Sequence, residues 1–336
     1  MRRDTRSSRV GTVTPPATYT LTVAKAGPGA AASRITGPGI DTALGDLTQT
    51  YAADTSVTLT ARPGTGKSFS GWNGDVRAPW RGGGLIGSSA AQEADLATVD
   101  YQWYYNWSKA SGLSTGVPFV PMIYNKAAGL SDLSALHVSD PAGNYLLGFN
   151  EPDAPGAGGP GIPLSVNDAL DLWPNLIATG RQLGSPAVRT GSTTWRKNFI
   201  DGAEARGYRL DFVCVHWYSA GGTAADLVNY LTTVHNNFGY PVWLTEFDSI
   251  NGTLVQNHNF AQAAGPLLAG LPWLQRVGWF TNRSLGGGGG YNNVGLVDSS
   301  GALTSVGTPY KNWPDSTVNP LTFTMTADRT ITASFA

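Results

Sequence analysis

The same Thr-rich alternation stands at both ends of this chain, with a long stretch of different character between. Tyr19, Leu21 and Val23 alternate with polar residues, and so do Val57, Leu59 and Ala61 after a connection rich in Gly, Pro and Asp. The pattern breaks off after Phe69 to Asp75, which reads FSGWNGD, and returns at Leu321 as LTFTM and TITASF. A period of two predicts half-buried strands. Neither piece alone builds a good core, and its edges stay unpaired unless the two pieces meet in space. The sequence therefore predicts one small all-β domain interrupted by an insertion near Val76 to Ser316. Its parts are a disordered N-terminal tail over 1–17, the first β portion over 18–77, the inserted block over 78–315 and the C-terminal strands over 316–336.

The inserted block alternates short apolar runs with longer amphipathic stretches, the pattern of repeated βα units. Candidate strands are Gly84 to Gly87, Asp100 to Trp107, Pro118 to Tyr124, Tyr145 to Asn150, Val188 to Ser192, Asp211 to Trp217, Val242 to Phe247 and Val277 to Thr281. There are eight, the number that closes a (β/α)8 TIM barrel, so the fold class is α/β with that barrel inserted into the β domain. Between strands, Leu227, Leu231, Val234 and Phe238 fall on one helical face, with Gly239 as a stop. Ser165 and Asp168 open another helix that carries Leu172, Leu176 and Leu183, and Pro174 is expected to kink it or to mark a late start.

Composition removes several function classes. Only 13% of residues are charged, and 22 Lys+Arg against 23 Asp+Glu leave a net charge of -1. That balance argues against a nucleic-acid or anionic-membrane binder, whose affinity depends on clustered positive charge. No run approaches the ~20 apolar residues of a membrane span. Cys214 is the one cysteine, so the chain has no intramolecular disulfide, no Cys-based zinc site and no thiol pair. Inside the apolar run FVCVHWY it reads as core. The four histidines, His137, His216, His235 and His258, form no HxH or HExxH pattern, and no metal or cofactor is predicted. Lys126, the lysine nearest a strand end, reads as solvated, and the run Gly286 to Gly290 reads as a mobile rim loop rather than a phosphate cradle.

In a barrel of this kind the chemistry sits where strands end. The fourth run ends in Asn150-Glu151 and the seventh in Thr245-Glu246, so two carboxylates face one mouth. Glycoside hydrolysis needs such a pair, one acid to protonate the leaving oxygen and one carboxylate to attack the anomeric carbon or to activate water. Asn150 offers an amide to a sugar hydroxyl. His216 and Tyr218, at the end of the sixth run, are placed to hydrogen-bond a carboxylate. Trp107 and Trp279 are the expected platforms for sugar CH faces, and of Trp103, Tyr104 and Tyr105 at least one must be core.

Several stretches resemble known families. YAADTSVTLTA (Tyr51 to Ala61), FSGWNGD (Phe69 to Asp75) and MTADRTITASF (Met325 to Phe335) are similar to the internalin B-repeat. LLGFNEPD (Leu146 to Asp153), FVCVHWY (Phe212 to Tyr218), VWLTEF (Val242 to Phe247) and GWFTNR (Gly278 to Arg283) resemble glycoside hydrolase family 128. That resemblance implies a barrel acting on β-1,3-glucan with retention of configuration, Glu151 serving as acid/base and Glu246 as nucleophile. The expected sugar contacts are Asn150, His216, Tyr218, Trp107, Tyr105, Trp279 and Asn282. A retaining pair should stand about 5 to 5.5 Å apart, with Glu246 ionised and the pKa of Glu151 raised. WRGGGLIG is a thinner first strand than the family's. The expected partner is a β-glucan and the expected state a secreted or cell-surface monomer. Two rival readings stay open: a retaining β-glycosidase on mannan or xylan, and a carbohydrate-binding surface protein without turnover.

Overall fold

The computed structural model describes residues 18–53, 55–74, 80–87, 89–131, 133, 136, 145–189, 193–271, 273–284, 291–314, 321–324 and 329–335. The expected tail over 1–17, the run Gly286 to Gly290 and His137 lie outside the described residues. The chain divides into two units, Met1–Phe69 with Pro320–Ala336, and Ser70–Asn319.

The first unit is all β. Strands β1 (Thr18–Ala26), β2 (Arg34–Gly37), β3 (Ile40–Asp41), β4 (Leu47–Ala52) and β5 (Ser56–Arg62) precede β6 (Phe69–Gly74), along which the chain leaves the unit. The C-terminal strands β14 (Leu321–Thr324) and β15 (Arg329–Phe335) pair with the N-terminal ones. β15 runs parallel to β1, Val23 opposite Ile331, and β14 runs antiparallel to β5, Leu59 opposite Leu321. Leu21, Val23, Val57, Leu59 and Ile331 are fully buried, the alternating set that the pattern selects.

In the second unit the strands are β7 (Arg81–Gly84), β8 (Trp103–Tyr105), β9 (Tyr145–Leu147), β10 (Gln182–Gly184), β11 (Val213–Tyr218), β12 (Val242–Asp248) and β13 (Leu274–Trp279). The helices are α1 (Ala90–Val99), α2 (Lys126–Leu130), α3 (Val166–Ile177), α4 (Thr193–Ala205), α5 (Ala224–Phe238), α6 (Leu254–Ala269) and α7 (Gly307–Lys311). One parallel sheet has the order β11-β12-β13-β7-β8. The last strand thus pairs with the first, as a barrel requires and an open sheet does not. β9 and β10 form a second parallel pair. On that side the ladder is not continuous, and single parallel bridges, Tyr104 to Phe119, Met122 to Leu147 and Gly184 to Phe212, take its place.

Three strand expectations are corrected. The first strand is β7, which shares only Gly84 with the expected Gly84 to Gly87. Pro118 to Tyr124 makes bridges without a continuous strand, because Pro118 and Pro121 each lack the N–H that a ladder needs. The fifth strand is β10, upstream of the expected Val188 to Ser192, of which Val188 and Arg189 make no ladder and 190–192 lie outside the described residues; Ala187, just before it, contributes one bridge to Asn150. The helix expected over Asp226 to Phe238 is α5, begun by a Thr223 capping box and stopped by Gly239 at φ 73°. In α3 the helix runs through Pro174 to Ile177.

Side chains alternate across the strands. Trp103, Tyr105, Val120, Met122, Leu147, Phe212, Cys214 and Trp243 pack together inside the ring. Val213, Val215, Leu244 and Val277 face the helices, against Leu227 and Leu231 of α5 and Ala264 and Leu268 of α6. Arg276 closes the N-terminal end, its guanidinium 4.4 Å from the Trp243 ring, 4.6 Å from Tyr145 and 5.3 Å from Trp103.

The glycines of β7 answer to close approach. A Cβ at Gly82 would lie 2.1 Å from the Trp103 carbonyl oxygen, and one at Gly84 2.4 Å from the Trp107 ring. The Trp103 carbonyl belongs to a paired strand and cannot yield. Gly82→Ala should therefore destabilise the barrel by about 2–4 kcal/mol, seen as a Tm about 5–15 °C lower in calorimetry.

Candidate active site

Glu246 reaches the mouth through a β-bulge. Val215 lies opposite Leu244, yet the next residue, His216, lies opposite Glu246, so Thr245 is the extra residue. The same step appears against β13, where Leu244 faces Val277 and Phe247 faces Trp279. With strict alternation Trp243 and Glu246 would point to opposite faces. The bulge lets both point inward.

Four groups converge on the Glu246 carboxylate. Trp107 Nε1 donates to Oε1 at 2.8 Å, Tyr105 OH to Oε1 at 3.1 Å and Tyr218 OH to Oε2 at 2.7 Å. His216 Nε2 stands 3.5 Å from Oε1. Burial first, and the Glu246 charge second, push the phenols of Tyr105 and Tyr218 well above the usual tyrosine range, so both stay protonated donors.

Glu151 follows β9 on a backbone with φ 40°, a left-handed conformation that is costly for a side chain and recurs at functional sites. Its N–H donates to Ala187 O at 2.7 Å, which fixes that turn against the next strand. Its Oε1 lies 3.1 Å from His216 Nδ1. The Glu151 side chain is 25% exposed, against 6% for Glu246.

His216, at 0% exposure, is the link between the two acids. Burial pulls its pKa down more than any other single cause, but Glu246 and Glu151 together outweigh burial and the net shift is upward. The charged imidazole therefore adds stability in full below the ordinary histidine range, and that contribution fades as pH rises through the raised value. Carboxylates and imidazole are also metal donors, and one donor atom from each of Glu151, His216 and Glu246 lies within 4.8 Å of the others. The ring turns opposite edges to the two acids, which suits a hydrogen-bonded bridge and not convergence on one ion about 2.0–2.2 Å from each donor.

Above these groups opens a cleft of about 480 Å³ lined by Ile86, Trp107, Tyr124, Asn150, Glu246 and Phe280. Asn150 Oδ1 is buried there without a hydrogen-bond partner among the described residues. Tyr124 is 43% exposed. Phe280 meets Trp107, Tyr218 and Tyr291 edge-on, with ring centroids 5.9, 5.7 and 5.3 Å apart.

Several expected sugar contacts are corrected. Trp279 is fully buried and faces away from the cleft. It sits beside Phe247 in the ladder, shares its outward face, packs on Phe260 and Trp313 and donates to Val294 O at 2.9 Å. Phe280, the next residue, takes the cleft side. Asn282 is also fully buried, its amide spent on Asp95 Oδ2 and on the Ile86 N–H. Tyr105 and His216 are buried under the carboxylates and meet acids instead of solvent. Asn150 and Trp107 line the cleft, and Tyr218 is half-buried beside it. Trp103, Tyr104 and Tyr105 are all core, and burial pushes the Cys214 thiol up. Lys126 is paired with Asp168 at 3.0 Å. Ile86, Tyr124 and Phe280 escaped the sequence reading, although Tyr124 ends an apolar run and could have been found by that rule.

The model of the glycosyl hydrolase catalytic core family matches residues 82–310, more than half of the chain and the whole of this mouth. The chain belongs to the glycosyl hydrolase catalytic core family. A second model, the divergent InlB B-repeat domain, matches residues 39–81. The structure is similar to a family 128 (subgroup I) endo-β-1,3-glucanase from Amycolatopsis mediterranei, solved with laminaritriose and laminaribiose. The TM-score is 0.61 and the identity 31%, over 69% of this chain and 99% of that one. It also resembles a subgroup V exo-β-1,3-glucanase from Cryptococcus neoformans, with a TM-score of 0.54 and 26% identity over 66% of this chain and 96% of that one. In sequence it is 30% identical to alkali-sensitive linkage protein 1 of Schizosaccharomyces pombe over 239 residues, 67% of this chain. The match spans 43% of that protein's length. This member of the catalytic core family is thus a glycoside hydrolase.

The His216 bridge makes a checkable statement. In an NMR titration of the enzyme the His216 imidazole should titrate above the ordinary midpoint of about 6.5, and Glu246→Gln should lower that midpoint.

Proposed function

We propose that this enzyme cleaves β-1,3-glucan within the chain and with retention of configuration, Glu151 acting as acid/base and Glu246 as nucleophile. Glu151 protonates the glycosidic oxygen while Glu246 attacks the anomeric carbon and forms a glycosyl ester. Glu151 then takes a proton from water, which hydrolyses the ester. The observation that carries this reading is the carboxylate separation. One oxygen of each acid lies within 4.8 Å of the other, in keeping with the ~5–5.5 Å carboxyl separation of retaining pairs rather than the ~6.5–9.5 Å that leaves room for an inverting water.

The exposures suit the two roles. Glu246 is sunk and fixed by three donors, as an in-line nucleophile must be, while Glu151 keeps solvent access for the water of the second step. Asn150, whose buried oxygen has no partner among the described residues, meets a sugar hydroxyl, and Trp107, Tyr124 and Phe280 meet CH faces. The endo reading follows the relatives: the endo-acting bacterial enzyme is more alike than the exo-acting fungal one in both identity and TM-score. We further propose that the barrel interrupts a B-repeat unit, a reading supported by the pairing of β1 with β15 and of β5 with β14, and that this unit serves as spacer or anchor. A polymeric glucan does not cross membranes, so the enzyme acts outside the cell, as a monomer. No helix among the described residues is long and apolar enough to cross a membrane.

Digestion of laminarin, mannan and xylan tests the reading. Laminarin should yield internal fragments whose new reducing ends are β when formed, by NMR. Glu246→Gln and Glu151→Gln should each lower kcat about a thousandfold or more. Release of α products, preference for mannan or xylan, or unchanged turnover in Glu246→Gln would sink it.

A further inference from the structure

The face of β12 that presents Glu246 carries a second acid, Asp248. Across the β11–β12 ladder His216 lies opposite Glu246 and Tyr218 opposite Asp248. Paired and alternate positions share a face, so all four residues sit together at the mouth. Asp248 is 0% exposed, and neither of its carboxyl oxygens has a hydrogen-bond partner among the described residues.

The two acids of β12 are thus treated in opposite ways. Glu246 receives two hydroxyls and an indole N–H, whereas no donor among the described residues reaches Asp248. A bare carboxylate sealed from water loses its solvation without compensation, and the neutral acid loses far less. The titratable groups that face it add no compensating charge. On its own strand there is Glu246, from β11 there is Tyr218, and from the segment after β13 there is Tyr291, whose ring meets Tyr218 edge-on at 5.9 Å. His216 lies one pair back along the ladder and is spoken for by Glu246 and Glu151. Burial first, and the Glu246 charge second, hold the Asp248 carboxyl well above the usual carboxylate range.

We propose that Asp248 is a positioning residue that works as an uncharged carboxylic acid, filling the space beside Tyr218 with a group that places no second anion next to Glu246. Tyr218 is thereby kept on Glu246 Oε2, and the nucleophile keeps its aim. The proposal rests on the reading of Glu246 as nucleophile.

The test combines protonation state and kinetics. In the wild-type enzyme with 13C-carboxyl aspartate, one resonance should remain that of a protonated acid where the ordinary aspartates are already ionised, and it should titrate at lower pH in Glu246→Gln. Asp248→Asn, which keeps the shape and lacks the charge, should retain kcat/KM within about threefold. Asp248→Ala, which empties the space, should lower kcat about tenfold with KM held, and the Asn variant is the rescue that marks positioning. Aspartates that all titrate in the ordinary acid range would overturn the proposal, whether or not the variants fold. So would a loss of about a hundredfold in Asp248→Asn, or an Ala variant whose kcat is unchanged or falls only in step with KM and Tm. If Glu246→Gln proves active, the nucleophile reading fails while the titration of Asp248 is still read on its own.

Discussion

Two carboxylates within 5 Å of each other repel by about 3 kcal/mol at an effective dielectric of about 20, and the mouth of this barrel is arranged around that cost. His216 stands between the acids with a nitrogen toward each. Tyr105, Tyr218 and Trp107 spend their polar hydrogens on Glu246. Those donors are themselves set by the fold. Trp107 fits because Gly84 has no side chain, and Tyr105 belongs to the packed interior. Removing a donor would leave the acid buried and short of partners, which is why so much of the inner face is committed to one carboxylate.

That commitment explains where reading the sequence succeeds. Strands end in acids at Glu151 and Glu246, and the rule that barrel chemistry gathers at strand ends finds both without coordinates. The helix α5 is equally legible, because its apolar period, its Thr223 cap and its Gly239 stop agree. The pairing of distant termini follows from a deficit: neither alternating piece has enough partners alone. The glycine-rich first strand looked thin by composition. Its glycines are the imprint of rings and carbonyls on neighbouring strands, which no local pattern records.

Facing direction was less legible. Trp279 and Phe280 are adjacent aromatics at a strand end, and sequence offers no means to choose between them. The choice is made by the lateral neighbour Phe247, already turned toward the helices. Asn282 looked like a sugar ligand by position, yet it is consumed in tying Ile86 to Asp95. Asp248 was overlooked because the expected strand stops at Phe247, one residue short of β12, and the bulge at Thr245 leaves no mark in the local pattern. One inserted residue moves a whole strand end from one environment to the other.

The Arg276 guanidinium packed among Trp103, Tyr145 and Trp243 has a consequence for how a polymer is handled. All four residues come from the N-terminal halves of their strands, so the ring is stoppered on that side by a cation in an aromatic seat. A long saccharide cannot thread through such a plugged cylinder. Whatever occupies the cleft therefore enters and leaves by the opposite, C-terminal rim.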